Sequence, residues 1–280
     1  MPEIGEIRAH AKRLAEFAIG KELKTFRPIS FHVLKTFDPP PETAHGTTLQ
    51  SVDTRGKYLI LHFEGASFLV HLMQGGRLKP DEKQSAKPRN GQARWTFADD
   101  TALLLTEAGH DKRAGVWVFP PGTELDATEA LDYLGPDADQ IDEETLAKLL
   151  SDNSMRLHGW LRRQRIIAGI GRRLANDICH EAKLSPFAST KKLDSDAVHR
   201  LHDAIHTCID ASLGFEREQP EIVASAKRPS AVHNRKGEAC PRCGDTIREV
   251  TYTKYQVNYC AACQTAGKIL ADNTTSKFLK

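Results

Sequence analysis

The sequence has no apolar run long enough to cross a bilayer, since its longest apolar stretches, such as Tyr58–Phe63, are far too short. The segment Met1–Glu6 lacks the positive patch and apolar block of a signal peptide, so we expect no secretion signal. Hydrophobic residues make up 40% of the chain and charged residues 27%, a balance typical of a folded core. We therefore exclude a membrane protein and a secreted disulfide scaffold, and we expect a cytoplasmic protein without a membrane partner.

Charge is unevenly distributed along the chain. Residues 1–150 hold 18 Lys and Arg against 23 Asp and Glu, whereas residues 151–280 hold 21 against 14. The net charge is therefore −5 in the first segment and +7 in the second. This division indicates that the basic half meets a polyanion, although an ordinary solvated surface is the alternative.

The hydrophobic pattern predicts an α+β protein whose 280 residues form two units, or one unit and a small accessory module. A helical pattern over residues 3–19 is followed, from Thr25 to Val118, by short strand-like runs typical of a β-sandwich or barrel. The predicted strands are Ser51–Asp53, Tyr58–Phe63, Ser67–Leu72, Ala93–Phe97 and Ala102–Glu107. The second half predicts helices near 143–151, 154–166, 171–182 and 194–213, and a compact metal hairpin over 237–264.

Two Cys-x2-Cys pairs are separated by 16 residues, a spacing inside the window for a tetrahedral zinc site. The four predicted ligands are Cys240, Cys243, Cys260 and Cys263. Four thiolates close the coordination sphere, so a zinc ion would hold structure and perform no chemistry. Disulfides are the alternative, which we disfavour because nothing else indicates an oxidising compartment.

Basic residues flank this cysteine module, among them Arg242 and Lys268. A metal-pinned basic hairpin is commonly a nucleic-acid contact element, and we expect these two side chains to contribute to it. A purely structural or protein-binding hairpin is the alternative.

A basic segment, Ser154–Arg173, contains six arginines and no acidic residue. It includes Gly169 and Gly171, directly before the helical pattern that begins near Arg172. A glycine pair at a helix start lets backbone N–H groups approach a phosphate, helped by the helix dipole. A plain helix–helix turn is the alternative, but the surrounding arginines favour phosphate binding.

Several short blocks follow one another in one order from residue 1 to residue 264. They are Met1-Pro2-Glu3 with Glu6, Arg55-Gly56-Lys57-Tyr58-Leu59, His71-Leu72, Gln164 with Ala168-Gly169-Ile170-Gly171, Arg235-Lys236-Gly237-Glu238 with Cys240-Pro241-Arg242-Cys243-Gly244, and Tyr259-Cys260 with Cys263-Gln264. In combination they resemble the formamidopyrimidine-DNA glycosylase/endonuclease VIII family. The resemblance implies an N-terminal helix and β-sandwich domain (1–135), a helix–two-turn–helix domain (136–226), a zinc finger (227–264) and a C-terminal extension (265–280).

The resemblance also implies a catalytic group of Pro2, Glu3, Glu6 and Lys57. The amine of Pro2, exposed when Met1 is removed, would attack C1′ of a deoxyribose and form an iminium ion, as a lysine Schiff base does. Glu3 would move protons between the sugar and the departing base, Glu6 would orient the terminus, and Lys57 would bind a phosphate. The plainer alternatives are a proline at a chain start, acidic caps of a helix and a surface lysine.

The DNA contacts implied by the resemblance depart from the family pattern at several positions. After His71, either Met73 or Gln74 could fill the space left by a flipped nucleotide, and Arg113 could face the orphaned base without the usual aromatic neighbour. His158 stands where the 8-oxoguanine enzymes carry a lysine, and Arg172 replaces an asparagine. Since the loop Glu216–Arg228 also looks short for a purine lid, we expect an altered base preference, away from 8-oxoguanine.

Together these features predict a base-excision-repair DNA glycosylase with AP lyase activity, acting through an N-terminal proline iminium and β/δ-elimination. Its partner would be damaged DNA, its only cofactor one structural zinc ion, its state a monomer, and its location the bacterial nucleoid. A non-catalytic binder of damaged or abasic DNA is the alternative, favoured by the altered contact residues. A zinc-ribbon transcription or RNA-binding protein is a third reading, but it leaves the N-terminal block unexplained.

Overall fold

The computed structural model of the chain describes residues 1–252 and 255–270, so most of the predicted C-terminal extension (265–280) lies outside the described residues. The chain divides into two compact units. The first contains Met1–Tyr133 and Leu213–Ser225, and the second contains Leu134–Ser212 and the chain from Ala226 onward. Among the described residues, the structure has no helix of the length and apolarity needed to span a membrane.

The first unit packs helix α1 (Ile4–Ala18) against two antiparallel four-stranded sheets. One sheet has the order β1-β6-β7-β5 and the other the order β2-β3-β4-β8. The strands are β1 (Leu23–Pro28), β2 (Leu49–Arg55), β3 (Tyr58–Phe63), β4 (Ser67–His71), β5 (Gly76–Pro80), β6 (Gly91–Phe97), β7 (Ala102–Glu107) and β8 (Gly115–Phe119). Phe68 of one sheet contacts Phe26 and Trp95 of the other, with ring centroids 5.0 and 5.8 Å apart, and the predicted β-sandwich is confirmed.

The second unit is helical and ends in a two-stranded hairpin. Its elements are α2 (Glu143–Asp152), α3 (Leu157–Leu161), α4 (Arg172–Glu181), most of α5 (Ser195–Arg217), β9 (Ile247–Thr251), β10 (Gln256–Cys260) and α6 (Ala261–Thr265). The predicted hairpin over 237–264 is present as the antiparallel pair β9–β10. Helix α4 begins where the glycine pair predicts, with Gly171 as its N-cap residue.

The structure corrects the sequence-based helix over 154–166. Only Leu157–Leu161 is helical, and the chain then turns through residues 162–171 before α4. The Gln164 side chain holds this turn, because its amide nitrogen donates to the carbonyls of Arg162 and Ile170 at 3.0 and 2.8 Å. Its amide oxygen accepts from the N–H of Gly169 at 3.0 Å, so side-chain hydrogen bonds replace the helical ones.

The predicted boundary at residue 226 also needs correction, because residues 213–225 belong to the first unit. Arg13 of α1 donates hydrogen bonds to the carbonyls of Glu216 and Gln219 at 2.6 and 2.9 Å. It also pairs at 3.3 Å with the carboxylate of Glu216, which is 0% exposed. Ile222 lies in the core cluster of the first unit, so this segment is packed there and is not a free loop.

Candidate functional site

The first turn of α1 buries two carboxyl groups next to Pro2. Glu3 is the N-cap residue and Glu6 the third residue of the helix, and their side chains form a reciprocal capping box. The backbone N–H of Glu3 donates to the Glu6 carboxylate at 2.5 Å. Glu3 is 4% exposed and Glu6 is 0% exposed, and Pro2 is also buried. Glu6 therefore fixes the peptide unit that follows Pro2, and its role in orienting the terminus for catalysis stays a prediction.

Lys57 and His71 lie on adjacent hairpin ends in the same unit as α1. Lys57 belongs to the two-residue turn between β2 and β3, which Gly56 permits by adopting a φ of +55°. Tyr58 pairs with His71 across β3 and β4, and their rings are 4.5 Å apart. Burial, with the positive charges of Lys57 and the N-terminal amine, lowers the pKa of His71 to about 4. His71 is therefore neutral at pH 7, and the structure brings Lys57, His71 and the chain start together.

The predicted contacts Met73, Gln74 and Arg113 lie on two neighbouring loops at one end of the sandwich. Met73 has a φ of +51°, and its N–H donates to Nδ1 of His71 at 3.2 Å. Gln74 and Arg113 are exposed, whereas Met73 is half-buried. The buried carboxylate of Glu107 shapes the second loop by accepting the N–H groups of Arg113 and Ala114, at 2.6 and 2.7 Å. No local pattern in the sequence indicates that internal acceptor.

The glycine turn before α4 has the shape that the sequence predicts. Gly169 has a φ of +98°, a left-handed conformation that favours glycine, and Gly171 caps α4 without a side chain. The first turn of α4 holds no acidic residue, and Arg172 is exposed there. These features fit the binding of a phosphate by backbone N–H groups and a cationic side chain.

His158 lies in α3, 3% exposed, with its ring stacked on Tyr255 at 6.1 Å. Burial, followed by the charge of Arg162, lowers the pKa of His158 to about 3, so its imidazole is uncharged at pH 7. The guanidinium of Arg162 lies 4.4 Å from the Tyr255 ring, which also stacks on Tyr252 at 4.8 Å. Sequence reasoning missed this row of rings, although two tyrosines three residues apart at the centre of a hairpin are a visible pattern.

The four predicted cysteines converge at the base of the β9–β10 hairpin. Their Sγ atoms all lie within 4.8 Å of one another, close enough to hold one metal ion. All four are free thiols, and Cys243 Sγ is 3.4 Å from both Cys260 and Cys263, much longer than a disulfide bond. Although burial opposes it, the N–H groups of Arg242 and Cys243 lower the pKa of Cys240 to about 7.

The two basic residues of the hairpin differ in their surroundings. Arg242 pairs with Glu181 at 2.6 Å and donates to the carbonyl of His180 at 2.5 Å, so it caps the end of α4. Its role as a DNA contact stays a prediction. Lys268 is exposed beyond α6.

Comparisons with known proteins agree with the fold. Residues 1–113 match the family model described as the formamidopyrimidine-DNA glycosylase N-terminal domain. An uncharacterized formamidopyrimidine-DNA glycosylase-like protein of Mycobacterium tuberculosis is 39% identical over 149 residues, which are 52% of this chain and 94% of that relative. The formamidopyrimidine-DNA glycosylase of Halalkalibacterium halodurans is 28% identical over 279 residues, covering 94% of this chain and 100% of the relative. The chain belongs to the formamidopyrimidine-DNA glycosylase family.

Solved structures share the fold. Lactococcus lactis formamidopyrimidine-DNA glycosylase, bound non-covalently to DNA with an AP site, has a TM-score of 0.83 at 20% identity and covers 94% of this chain and 99% of its own. A MutM structure in complex with DNA containing carbocyclic 8-oxo-G has a TM-score of 0.82 at 19% identity and covers 94% and 100%.

Proposed function

We propose that the protein is a DNA glycosylase with AP lyase activity that acts on damaged bases in base excision repair. The observation that carries this proposal is the buried capping box of Glu3 and Glu6 beside Pro2, with Lys57 and His71 in the same unit. Family membership supports the same activity, because relatives that match over 94% and 95% of the chain are formamidopyrimidine-DNA glycosylases.

The chemistry follows from a secondary amine at the chain start. After removal of Met1, the Pro2 nitrogen attacks C1′ of the damaged nucleotide and the bond from C1′ to the base breaks. Opening of the sugar ring leaves an iminium ion, which draws electrons from C2′ and acidifies its proton. Loss of that proton expels the 3′ phosphate, and a second elimination expels the 5′ phosphate. An α-amine with a pKa of about 8 is unprotonated in about a tenth of the molecules at pH 7, whereas a lysine with a pKa of about 10.4 is almost wholly charged.

The first unit supplies the groups that accompany this reaction. Glu3 is the general acid and base, protonating the ring oxygen or departing base and later accepting a proton. Glu6 holds the Glu3 peptide unit, as its 2.5 Å hydrogen bond indicates. Lys57 binds the phosphate next to the lesion, and its charge together with burial keeps His71 neutral, so that His71 serves as a hydrogen-bonding group.

The second unit binds the DNA backbone. The N–H groups at the Gly169–Gly171 turn and the Arg172 side chain bind a phosphate. Half-buried Met73 and exposed Gln74 and Arg113, all of the first unit, occupy the space of the extruded nucleotide. The packed segment 213–225 supports a base preference other than 8-oxoguanine, because its Ile222 is committed to the core of the first unit.

The metal of the cysteine module is zinc. Two Sγ pairs, Cys240–Cys263 and Cys243–Cys260, are 3.9 and 3.4 Å apart. A tetrahedron of four thiolates at 2.3 Å from zinc has edges of about 3.8 Å, so these residues fit the ion. A closed site of this kind supplies folding energy to the hairpin and leaves no position for substrate. We further propose a monomer without a small-molecule cofactor, located with the bacterial nucleoid in the cytoplasm.

Borohydride trapping on a duplex with one abasic site tests the central step. We expect the wild-type protein to form a covalent adduct whose protein peptide begins at Pro2, and Pro2→Gly to form at least tenfold less. A protein that lacks Met1 and binds the duplex, yet neither forms the adduct nor nicks it, would be the non-catalytic binder instead. A lesion panel then ranks oxidised pyrimidines, formamidopyrimidines and 8-oxoguanine, and preferred excision of 8-oxoguanine opposite cytosine would overturn the proposed preference.

A further inference from the structure

The last turn of α4 contacts the segment that carries the first cysteine pair, Cys240 and Cys243. His180 is 2% exposed, and its Nε2 lies 3.2 Å from the Sγ of Cys240. The backbone carbonyl of the same residue accepts a hydrogen bond from Arg242, the residue between Cys240 and Cys243, at 2.5 Å. Arg242 also pairs with Glu181 at 2.6 Å. One residue of α4 therefore contacts both a metal ligand and the turn that presents it.

The chemistry of this contact favours a hydrogen bond from nitrogen to sulfur. A thiolate accepts hydrogen bonds and has no proton to donate, so Nε2 of His180 carries the hydrogen. The other ring nitrogen, Nδ1, has no hydrogen-bond partner among the described residues. Four thiolates around a divalent ion leave a net charge of −2, which donors around the sulfurs reduce, and such partners tune the affinity of metal sites.

Further hydrogen bonds join α4 to the hairpin and to the segment that precedes it. The Asn176 side chain accepts from the N–H of Asn258 in β10 at 3.3 Å. The carboxylate of Asp177, one residue later, accepts from the N–H of Val232 at 3.0 Å. A helix of ten residues is about 15 Å long and rigid over that length. The position of its last turn on Cys240 therefore fixes the position of its first turn at Gly171.

We infer that His180 is a positioning residue that couples the metal site to α4, so that metal occupancy aligns the Gly169–Gly171 turn. The role of that turn in DNA binding rests on the proposed function, whereas the contact between His180 and Cys240 does not. The coupling acts through the rigid helix α4. When the metal site is filled, it sets the position of the first turn of α4, where a phosphate would bind.

The test uses the full-length, zinc-loaded protein and three variants. His180→Leu removes the donor and puts an apolar side chain of similar size in its place, whereas His180→Gln keeps an N–H donor. His199→Leu removes an exposed histidine elsewhere in the second unit and is the control. We expect His180→Leu to release zinc to a chromogenic chelator roughly tenfold faster than the wild type. Backbone amides of Gly171–Asn176 should exchange hydrogen faster in that variant, and its Kd for abasic DNA should rise at saturating zinc. His180→Gln should lie between it and the wild type, and His199→Leu should match the wild type.

A second measurement needs no variant that could misfold. In the wild-type protein loaded with cadmium-113, the Nε2 proton of His180 should exchange slowly and show a coupling to the cadmium nucleus through the sulfur. Absence of that proton signal, or zinc release in His180→Leu equal to that of the wild type, would overturn the inference. These readouts need no lesion and no turnover. A failure of borohydride trapping with normal zinc and exchange results would remove only the proposed function.

Discussion

Helices α1 and α4 begin in opposite ways. Every helix start leaves backbone N–H groups without intrahelical partners and carries a partial positive charge. Helix α1 satisfies its own start with the carboxyl groups of Glu3 and Glu6, both buried. Helix α4 starts at a glycine, has no acid in its first turn, and places Arg172 there instead.

The two helix starts are suited to different tasks, the first to proton transfer and the second to binding an anion. A helix start that already holds two carboxyl groups is suited to proton transfer at a fixed point, since its acids are held in place by backbone donors. A helix start without an acid, surrounded by arginines, needs an anion from outside, and a DNA phosphate meets that need. This difference supports the proposal that the reaction takes place at the first unit and that the second unit binds the DNA backbone.

The largest expected effect comes from neutralising the start of α1. Glu3→Gln keeps an oxygen that can cap the helix but cannot transfer a proton, so we expect base excision to fall by about 10²–10⁴. The melting temperature should stay close to that of the wild type. Single-turnover excision and calorimetry measure both quantities, with Glu16→Gln on the exposed face of α1 as the matched control. Full excision activity in Glu3→Gln would remove the reason for assigning the chemistry to this terminus.

Acid should destabilise both units through buried histidines. Burial, followed by the charge of Arg13, lowers the pKa of His10 in α1 to about 3, and His158 in α3 has the same value. Below pH 6.5 the unfolded chain binds protons at these residues and the folded chain does not, so stability present above pH 6.5 is lost towards pH 3. Each histidine should cost about 2–3 kcal/mol between pH 6.5 and pH 4.5.

Denaturant unfolding over that pH range measures the loss. His10→Leu and His158→Leu should each flatten the pH dependence of the unfolding free energy, in the first and second unit respectively. His199→Leu is the matched control, because the pKa of that exposed histidine is raised by the hydrogen bond that its imidazole donates to the Glu143 carboxylate. An unchanged slope in both buried variants would show that other groups govern acid unfolding.

The sequence allowed the local features to be predicted and left the distant contacts out of reach. The cysteine spacing, the glycine turn before α4 and the bounds of β3 depend on residues close in the chain, and the structure agrees with them. Strands β1 and β5 were missed because basic residues and a proline interrupt their apolar pattern, and β8 was missed although it is apolar after its first glycine. The pairing of Arg13 with Glu216 joins residues 203 positions apart, and no local pattern indicates it.

A smaller effect is expected from placing an acidic residue in the first turn of α4, where α1 has Glu6. Arg172→Glu puts a negative charge in the first turn, which should stabilise the helix by about 0.3–1 kcal/mol. The same charge should repel a phosphate, so affinity for abasic DNA should fall roughly tenfold and the salt dependence should weaken by about one counterion. Fluorescence anisotropy at several salt concentrations measures both, and Lys192→Glu, an exposed charge reversal in the same unit, is the control. Equal losses in the two variants would mean that charge alone, and not the helix start, binds DNA.

The smallest effect concerns Tyr255, whose ring covers His158 on one side and contacts Arg162 at 4.4 Å. Tyr255→Leu removes a cation–π contact of about 0.5–1 kcal/mol that holds Arg162, so affinity for abasic DNA should fall by at most about two- to fivefold. It also opens His158 to water, and the pKa of that histidine should rise from about 3 towards its usual range. An NMR titration of the imidazole follows this change, with Phe187→Leu as the control because the Phe187 ring packs against Tyr252. If the pKa of His158 stays low in Tyr255→Leu, burial by the helices alone keeps it low. Tyr255 would then affect DNA binding only through its contact with Arg162.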